Sequence, residues 1–320
     1  MYKKKLVITQ NIDRKYMDKI NEIIPDWEVI IGKDSSVWLD HLQDAEIIAG
    51  WKKEIKEYCI EQDSNLRWVQ SWSAGVNSFP LEKMAAKQMM ITTASGVHAY
   101  PISETIFALM LGLTRKVHTY VRNQVNKVWH HANLSLEMHE KTVGIIGVGA
   151  IGKETAKLAK AFGMKVIGVR FSGKPEEYVD EMYTASQLND ILPQCDYVVV
   201  TLPSTKETYH MFGKEQFSLM KPSAFFINIG RGDTVAEQDL IDALREEKIA
   251  GAGLDVFEKE PLSQDSPLWE LENVIITPHT SGSTESYDRR VIEEIFLPNL
   301  KKYIEEDKPT INVVDYEKGY

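Results

Sequence analysis

Thr142-Val-Gly-Ile-Ile-Gly-Val-Gly-Ala-Ile-Gly-Lys153 is the stretch on which the fold of this chain turns. An apolar run leads directly into Gly147-x-Gly149-x-x-Gly152, the pattern of a strand passing through a tight turn into a helix. The first glycine permits the turn, the second lets backbone approach a pyrophosphate, and the third lets the helix pack closely on the strand. The N–H groups and dipole at the helix N-terminus favour a negative charge there. A glycine turn alone can simply end a strand, so the surroundings matter. Ala150 to Phe162 has the periodicity of an amphipathic helix, Gly163 stands where a C-terminal cap belongs, and Lys165 to Val169 is a second short apolar strand. The complete βαβ setting makes Gly147, Gly149, Ala150, Ile151 and Gly152 candidate cofactor contacts.

A dinucleotide fold that binds NAD carries an acidic residue about 20 positions further on, to bond the ribose hydroxyls. This chain has Arg170 there, with Ser172 and Lys174 close behind. A guanidinium cannot accept a hydrogen bond from a 2′-hydroxyl, but its planar fork matches a 2′-phosphate. Arg170 and Ser172 therefore point to NADP as the favoured cofactor, with NAD possible. The alternative is an Arg170 that stacks on adenine and selects neither.

The 320 residues suit two domains. A formal charge of -10 argues against a general nucleic-acid or anionic-membrane binder, which needs a basic face. Lys3 to Lys5 precede an apolar stretch too short for a signal-peptide core, and no run is long enough to span a bilayer, so a cytoplasmic location is expected. Cys59 and Cys195 sit in unrelated contexts and read as buried thiols.

Short strands alternate with helical segments in two series, the pattern of parallel sheets covered on both faces. The first series is Leu6 to Thr9, Trp27 to Ile31, Glu46 to Gly50, Arg67 to Ser71 and Met89 to Thr93. The second is Val143 to Gly147, Val166 to Val169, Tyr197 to Leu202, Ala224 to Ile229, Gly251 to Val256 and Val274 to Thr277. A long helix starting at Tyr100-Pro101 marks a crossing between domains. Glu285 to Glu306 reads as an amphipathic helix interrupted at Pro298 that carries the chain back to the first domain, where Asn312 to Val314 can add an edge strand. The expected division is 1–99 plus 287–320 for a substrate domain and 100–286 for an NAD(P)-binding domain, with a cleft between them for a small substrate.

Chemistry concentrates at three strand ends of the second series. Ala224-Phe-Phe-Ile-Asn-Ile-Gly230 runs into Arg231-Gly-Asp233, so Arg231 projects from a tight turn, suited to bind a carboxylate and polarise a carbonyl oxygen. A salt bridge to Asp233 or Glu237 is its plainer use. Glu260 follows in Gly253-Leu-Asp255-Val-Phe-Glu-Lys-Glu260-Pro261-Leu262, and His279 lies just past the strand of Val274-Ile-Ile-Thr-Pro278-His279. Convergence of these loops would join a cation, a carboxylate and an imidazole. Reduction of a 2-keto acid needs a hydride at carbon and a proton at oxygen. A nicotinamide supplies the first, and a protonated His279 oriented by Glu260 the second.

With these residues in place, the chain resembles the D-isomer-specific 2-hydroxyacid dehydrogenases, in their glyoxylate and hydroxypyruvate reductase-like branch. The resemblance rests on Gly147 to Gly152, Asn228 to Asp233 (NIGRGD), Leu254 to Leu262 (LDVFEKEPL) and Thr277 to Gly282 (TPHTSG), and spans nearly the whole chain. It implies a Rossmann cofactor domain beside a flavodoxin-like substrate domain, both doubly wound. It also implies a catalytic set of Arg231, Glu260 and His279, with Asp255 near the nicotinamide amide. Leu202, Pro203, Ile229 and His279 are assigned to the cofactor with it. The segment Gln70 to Asn77 is similar to the family loop whose backbone N–H groups hold the substrate carboxylate, a role carried to Ala74 and Gly75. Arg170 departs from the commoner family pattern. The implied activity is reduction of a small 2-keto acid to the D-2-hydroxy acid. A dehydrogenase for bulkier D-2-hydroxy acids and a nucleotide-sensing, corepressor-like binding protein are the alternatives.

The resemblance also implies a homodimer built through the cofactor domain. Asn126 to His139 can form an arm to a neighbouring subunit with Trp129 as its anchor, or a surface loop with Trp129 tucked into its own domain. His130, His131 and His139 match no closed zinc set, and the chemistry needs no metal. Trp51 and Trp72 can narrow a substrate pocket or serve as core packing.

Overall fold

The structure is a computed structural model that describes residues 3–76 and 78–316; Asn77, the last residue of the proposed carboxylate loop, lies outside them. The chain divides into two compact units, one formed by the residues up to Val97 and from Thr284 onward, the other by His98–Ser283.

The first unit holds a five-stranded parallel sheet of β1 (Lys5–Ile8), β2 (Glu28–Ile31), β3 (Ile47–Ala49), β4 (Trp68–Gln70) and β5 (Met90–Thr92), in the order β2-β1-β3-β4-β5. That order is the flavodoxin-like one. Strand alternation distributes the core between the faces. Leu6, Ile8, Ile47 and Trp68 pack with Ile20, Phe296 and Leu300 on one side, while Val7, Ile48, Val69 and Ile91 pack with Cys59 and Met84 on the other. Because both faces are buried, the strands read as continuous apolar runs. Val314 N–H donates to the Ile91 carbonyl (2.8 Å) and Val313 bridges Thr92 antiparallel, so the Asn312 to Val314 segment does run beside β5.

The C-terminal helical stretch departs from expectation in one respect. Pro298 does not interrupt it. Tyr287–Arg290 and Leu297–Glu306 are α-helical, and the turns between them, Val291–Phe296, are widened to π-helical geometry. Pro298 has no N–H to donate and its ring would collide with the carbonyl of residue 294. A wider turn just ahead accommodates both without ending the helix.

The second unit contains seven parallel strands: β6 (Thr142–Ile146), β7 (Lys165–Val169), β8 (Glu181–Tyr183), β9 (Tyr197–Val200), β10 (Phe225–Asn228), β11 (Gly251–Leu254) and β12 (Val274–Ile276). Their order is β12-β11-β10-β9-β6-β7-β8, the Rossmann arrangement with its reversal between β6 and β9. The helix Ala99–Thr114 covers one face, where Ile106, Leu109 and Leu113 join Val143, Val199 and Ile227. The opposite face buries Val198, Val200, Phe226 and Leu254 against Leu240 and Leu244. Strand β8 escaped the sequence reading because it is three residues long, half-buried and at the sheet edge, with no apolar run to announce it. It receives Arg170, whose N–H donates to the Tyr183 carbonyl (3.1 Å). Both cysteines are buried, and burial pushes each thiol up to about 12.

Candidate active site

In open α/β sheets, ligands bind beyond the carboxyl ends of the strands at the point where strand order reverses. Here that point is the turn after β6. Gly147 has φ +109° and its N–H donates to the Val169 carbonyl (2.9 Å), a backbone conformation that a side chain would strain. A Cβ on Gly152 would stand 2.4 Å from the Gly147 carbonyl oxygen, so helix and strand meet with no room for one. A Cβ on Gly149 would meet nothing within 4 Å. The turn is thus closed behind and open in front. The first helical bond of Ala150–Ala161 runs from Lys153 N–H to the Gly149 carbonyl (2.9 Å), leaving the earlier N–H groups, those of Ala150 and Ile151 among them, at the open side. These residues fit the pyrophosphate of a dinucleotide.

At the end of β7, Arg170 is partly exposed, and its Nη1 donates to Glu176 Oε2 (3.1 Å). Ser172 is exposed on the following turn. On the other side of the reversal, Ile229 is buried with its N–H on the Val200 carbonyl (3.2 Å). Leu202 and Pro203 lie past β9, the Pro203 carbonyl accepting from Thr208 Oγ1 (2.7 Å).

The loops after β10, β11 and β12 are locked together by specific contacts. A Cβ on Gly232 would lie 1.9 Å from the Phe257 carbonyl carbon, so the Arg231 turn is in backbone contact with the segment leading to Glu260. Two reciprocal bonds reinforce this: Glu258 N–H donates to Glu237 Oε2 (3.0 Å) and Glu237 N–H to Glu258 Oε2 (3.4 Å). Burial pushes the Glu237 carboxyl up from its ordinary value. Glu260 Oε1 accepts from Phe257 N–H (3.0 Å), and its Oε2 pairs with His279 Nδ1 (2.7 Å). The side chains of His279 and Glu260 are 49% and 35% exposed, so the pair is open to a reactant.

His279 has φ +53°, a left-handed conformation that costs a non-glycine residue about 1–3 kcal/mol. Asp255 holds it there. This carboxylate is fully buried at the end of β11 and accepts from Thr277 Oγ1 (2.6 Å), Thr280 N–H (3.0 Å) and Ser281 N–H (3.1 Å), while its own carbonyl takes the His279 N–H (2.9 Å). A buried charge is tolerable when several donors satisfy it. The sequence reading missed this organising role, since nothing local signals that one aspartate faces a turn more than twenty residues away.

Arg231 makes neither of the salt bridges that were its plainer use. Asp233 pairs with Ser204 Oγ and Glu237 with the Glu258 amide, and the exposed guanidinium donates to the Gly230 carbonyl (2.7 Å). Glycine 232 yields a direct test. Gly232→Ala should destabilise the protein by more than about 2 kcal/mol or displace the loop, with activity falling in either case, because a methyl group at backbone contact distance forces a main-chain shift. Thermal melting and turnover measured side by side would check it, and an unaffected variant would show that the loops are loosely packed.

In the first unit, Ala74 and Gly75 are exposed just past β4, with open space above Gly75. Ser73 Oγ donates to the Gly75 carbonyl (2.9 Å), and Val76 anchors the turn in the core. Trp51 stacks on Phe79 with ring centroids 4.3 Å apart, and Trp72 Nε1 donates to Asp288 Oδ1 (3.0 Å), both contacts lying within their own unit.

Comparison with known proteins agrees with this geometry. Residues 107–281 match the family model described as D-isomer specific 2-hydroxyacid dehydrogenase, NAD binding domain. A glyoxylate/hydroxypyruvate reductase B of Yersinia pestis is 36% identical over 249 residues, covering 76% of this chain and 76% of that one. The structure of a D-isomer specific 2-hydroxyacid dehydrogenase family protein from Aeromonas salmonicida superposes with a TM-score of 0.82 at 32% identity, covering 98% of this chain and 99% of the other. An NADPH-dependent glyoxylate/hydroxypyruvate reductase from Sinorhizobium meliloti, in complex with NADP and sulfate, does so at 0.79 and 28% identity over 99% of this chain and all of that one. With the family match extending over more than half of its residues and a relative this similar along three quarters of them, the chain belongs to the D-isomer specific 2-hydroxyacid dehydrogenases and is an NAD(P)-dependent oxidoreductase.

Proposed function

We propose that this enzyme reduces a small 2-keto acid, glyoxylate or hydroxypyruvate, to the D-2-hydroxy acid, with NADPH as the favoured reductant. The observation that carries the reading is the Glu260–His279 pair at 2.7 Å, in a loop packed against the one that carries Arg231. A bound nicotinamide supplies the hydride. Glu260 holds His279 through Nδ1, which leaves Nε2 to deliver a proton to the keto oxygen and, in the reverse direction, to remove one from the hydroxyl. Arg231 fixes the acid and stabilises charge developing on oxygen. Ala74 and Gly75 N–H groups take the substrate carboxylate. Arg170 favours NADPH because it donates and cannot accept, and the NADP-bound Sinorhizobium relative supports this. Leu202, Pro203 and Ile229 complete the cofactor's surroundings, and Asp255, wholly buried, serves the nicotinamide end by holding the His279 turn rather than by touching it.

The test is the initial rate of NADPH and NADH oxidation with glyoxylate, hydroxypyruvate, pyruvate and bulkier 2-keto acids. Fast turnover with NADPH and the smallest acids is expected. Turnover confined to bulky acids would overturn the substrate class, and a preference for NADH would overturn the role of Arg170.

The same reading makes the enzyme a cytoplasmic homodimer. Among the described residues no helix is long and apolar enough to cross a membrane. Trp129 is 97% exposed rather than tucked into its own unit, and Val121, Val125 and Val128 are exposed close to it in sequence. Such an apolar group is a candidate for burial against a second copy. Trp129→Asp should shift the protein from dimer to monomer in light scattering at micromolar concentration, and a monomeric wild type would remove the arm's role.

A further inference from the structure

Glu176 Oε2 is the meeting point of two cations from different elements. Arg170 Nη1, at the end of β7, reaches it at 3.1 Å, and Lys153 Nζ, on the first turns of the helix that follows the glycine-rich loop, at 2.7 Å. The three side chains form a half-exposed cluster, with Glu176 the least exposed of them. Lys153, hydrogen-bonded to the Glu176 carboxyl, holds it below the usual carboxylate range, so it is ionised at neutral pH.

Two cations directed at one point repel each other unless an anion lies between them. Here the anion belongs to the chain, and it comes from the loop after β7. That loop leaves the strand through a turn closed by Gly173 N–H on the Arg170 carbonyl (3.1 Å), with Gly173 at φ +60°, and returns Glu176 to the residue it started from. One carboxylate oxygen uses one donor of each cation. A phosphate monoester offers three oxygens and nearly twice the charge, and so engages more of the Arg170 fork together with the ammonium.

We propose that Lys153 and Arg170 are a two-cation clamp for the 2′-phosphate of NADP(H), and that Glu176 is a resident carboxylate occupying the clamp when no phosphate is bound. This rests on the cofactor reading above and adds two specificity-determining residues to it. Glu176 competes with the 2′-phosphate for the same donors, so it weakens NADPH binding and has no comparable effect on NADH, which brings no phosphate to that position. Lys153 does the opposite, adding affinity for the phosphate alone.

The experiment measures binding without any keto acid. Wild type, Glu176→Gln and Lys153→Met are titrated calorimetrically with NADPH, NADH, adenosine 2′,5′-bisphosphate and adenosine 5′-monophosphate. Glu176→Gln should tighten NADPH and the bisphosphate by roughly tenfold, and Lys153→Met should weaken both by roughly tenfold, with NADH and the monophosphate within about twofold of wild type throughout. If Glu176→Gln leaves the bisphosphate unchanged or weakens it, Glu176 is an anchor for Arg170 rather than a competitor, and the proposal is wrong. If Lys153→Met alters NADH and NADPH alike, the lysine serves the shared part of the dinucleotide and the clamp is wrong. A wild type that binds neither dinucleotide overturns the cofactor reading and the clamp with it. Normal dinucleotide binding with two silent variants overturns the clamp alone.

Discussion

His279→Ala should lower kcat for keto-acid reduction by roughly 10²–10⁴-fold, the usual contribution of a positioned general acid, with NADPH affinity within about twofold of wild type. The ring nitrogen paired with Glu260 Oε2 is committed to orientation, and the other is the one available to exchange a proton with a reactant. Alanine removes that proton and leaves the donors of Thr277, Thr280 and Ser281 on Asp255 in place, so the loop retains its frame. Because position 279 is left-handed, with φ +53°, backbone strain is a separate matter from chemistry. His279→Asn tolerates that conformation better and still cannot cycle a proton. Equal losses in both variants would identify proton transfer as the missing function, and wild-type turnover in either would dismiss His279 as the donor.

Arg231→Ala should reduce kcat/KM by roughly 10²–10³-fold, as when a donor to a developing oxyanion is removed. Its guanidinium is exposed past the end of β10 and spends one N–H on the Gly230 carbonyl, while Asp233 and Glu237 are engaged elsewhere. The charge is thus available to a carboxylate or a carbonyl oxygen. Arg231→Lys keeps the charge but loses the planar fork, and should recover only a minor part of the activity. Steady-state constants for both substitutions against glyoxylate and hydroxypyruvate provide the check, and unchanged values would take Arg231 out of the reaction.

Both parallel sheets were legible because their strands are covered on two faces and must be apolar throughout, as Leu6 to Ile8 and Tyr197 to Val200 are. Strand β8 lacks that signature. Its residues are half-buried at an edge, and it exists because β7 offers it a partner. Helical periodicity located the last helix but not how Pro298 would be absorbed; the π-helical turns ahead of it place Val291, Ile292, Ile295 and Phe296 in the core of the first unit, which no local pattern announces.

The glycine-rich turn and the NIGRGD and TPHTSG segments are local. A φ of +109° at Gly147, or a helix pressed onto a strand at Gly152, is demanded by a few adjacent residues and is written in their identity. Contacts between segments distant in the chain carry no such local mark. That Glu260 meets His279, that Asp255 supports the turn around His279, and that Arg170 shares Glu176 with Lys153 follow from where strands and loops are placed by packing. A hydrogen bond or ion pair depends on distances of about 3 Å, and only the packed core sets such distances between residues that the chain keeps far apart.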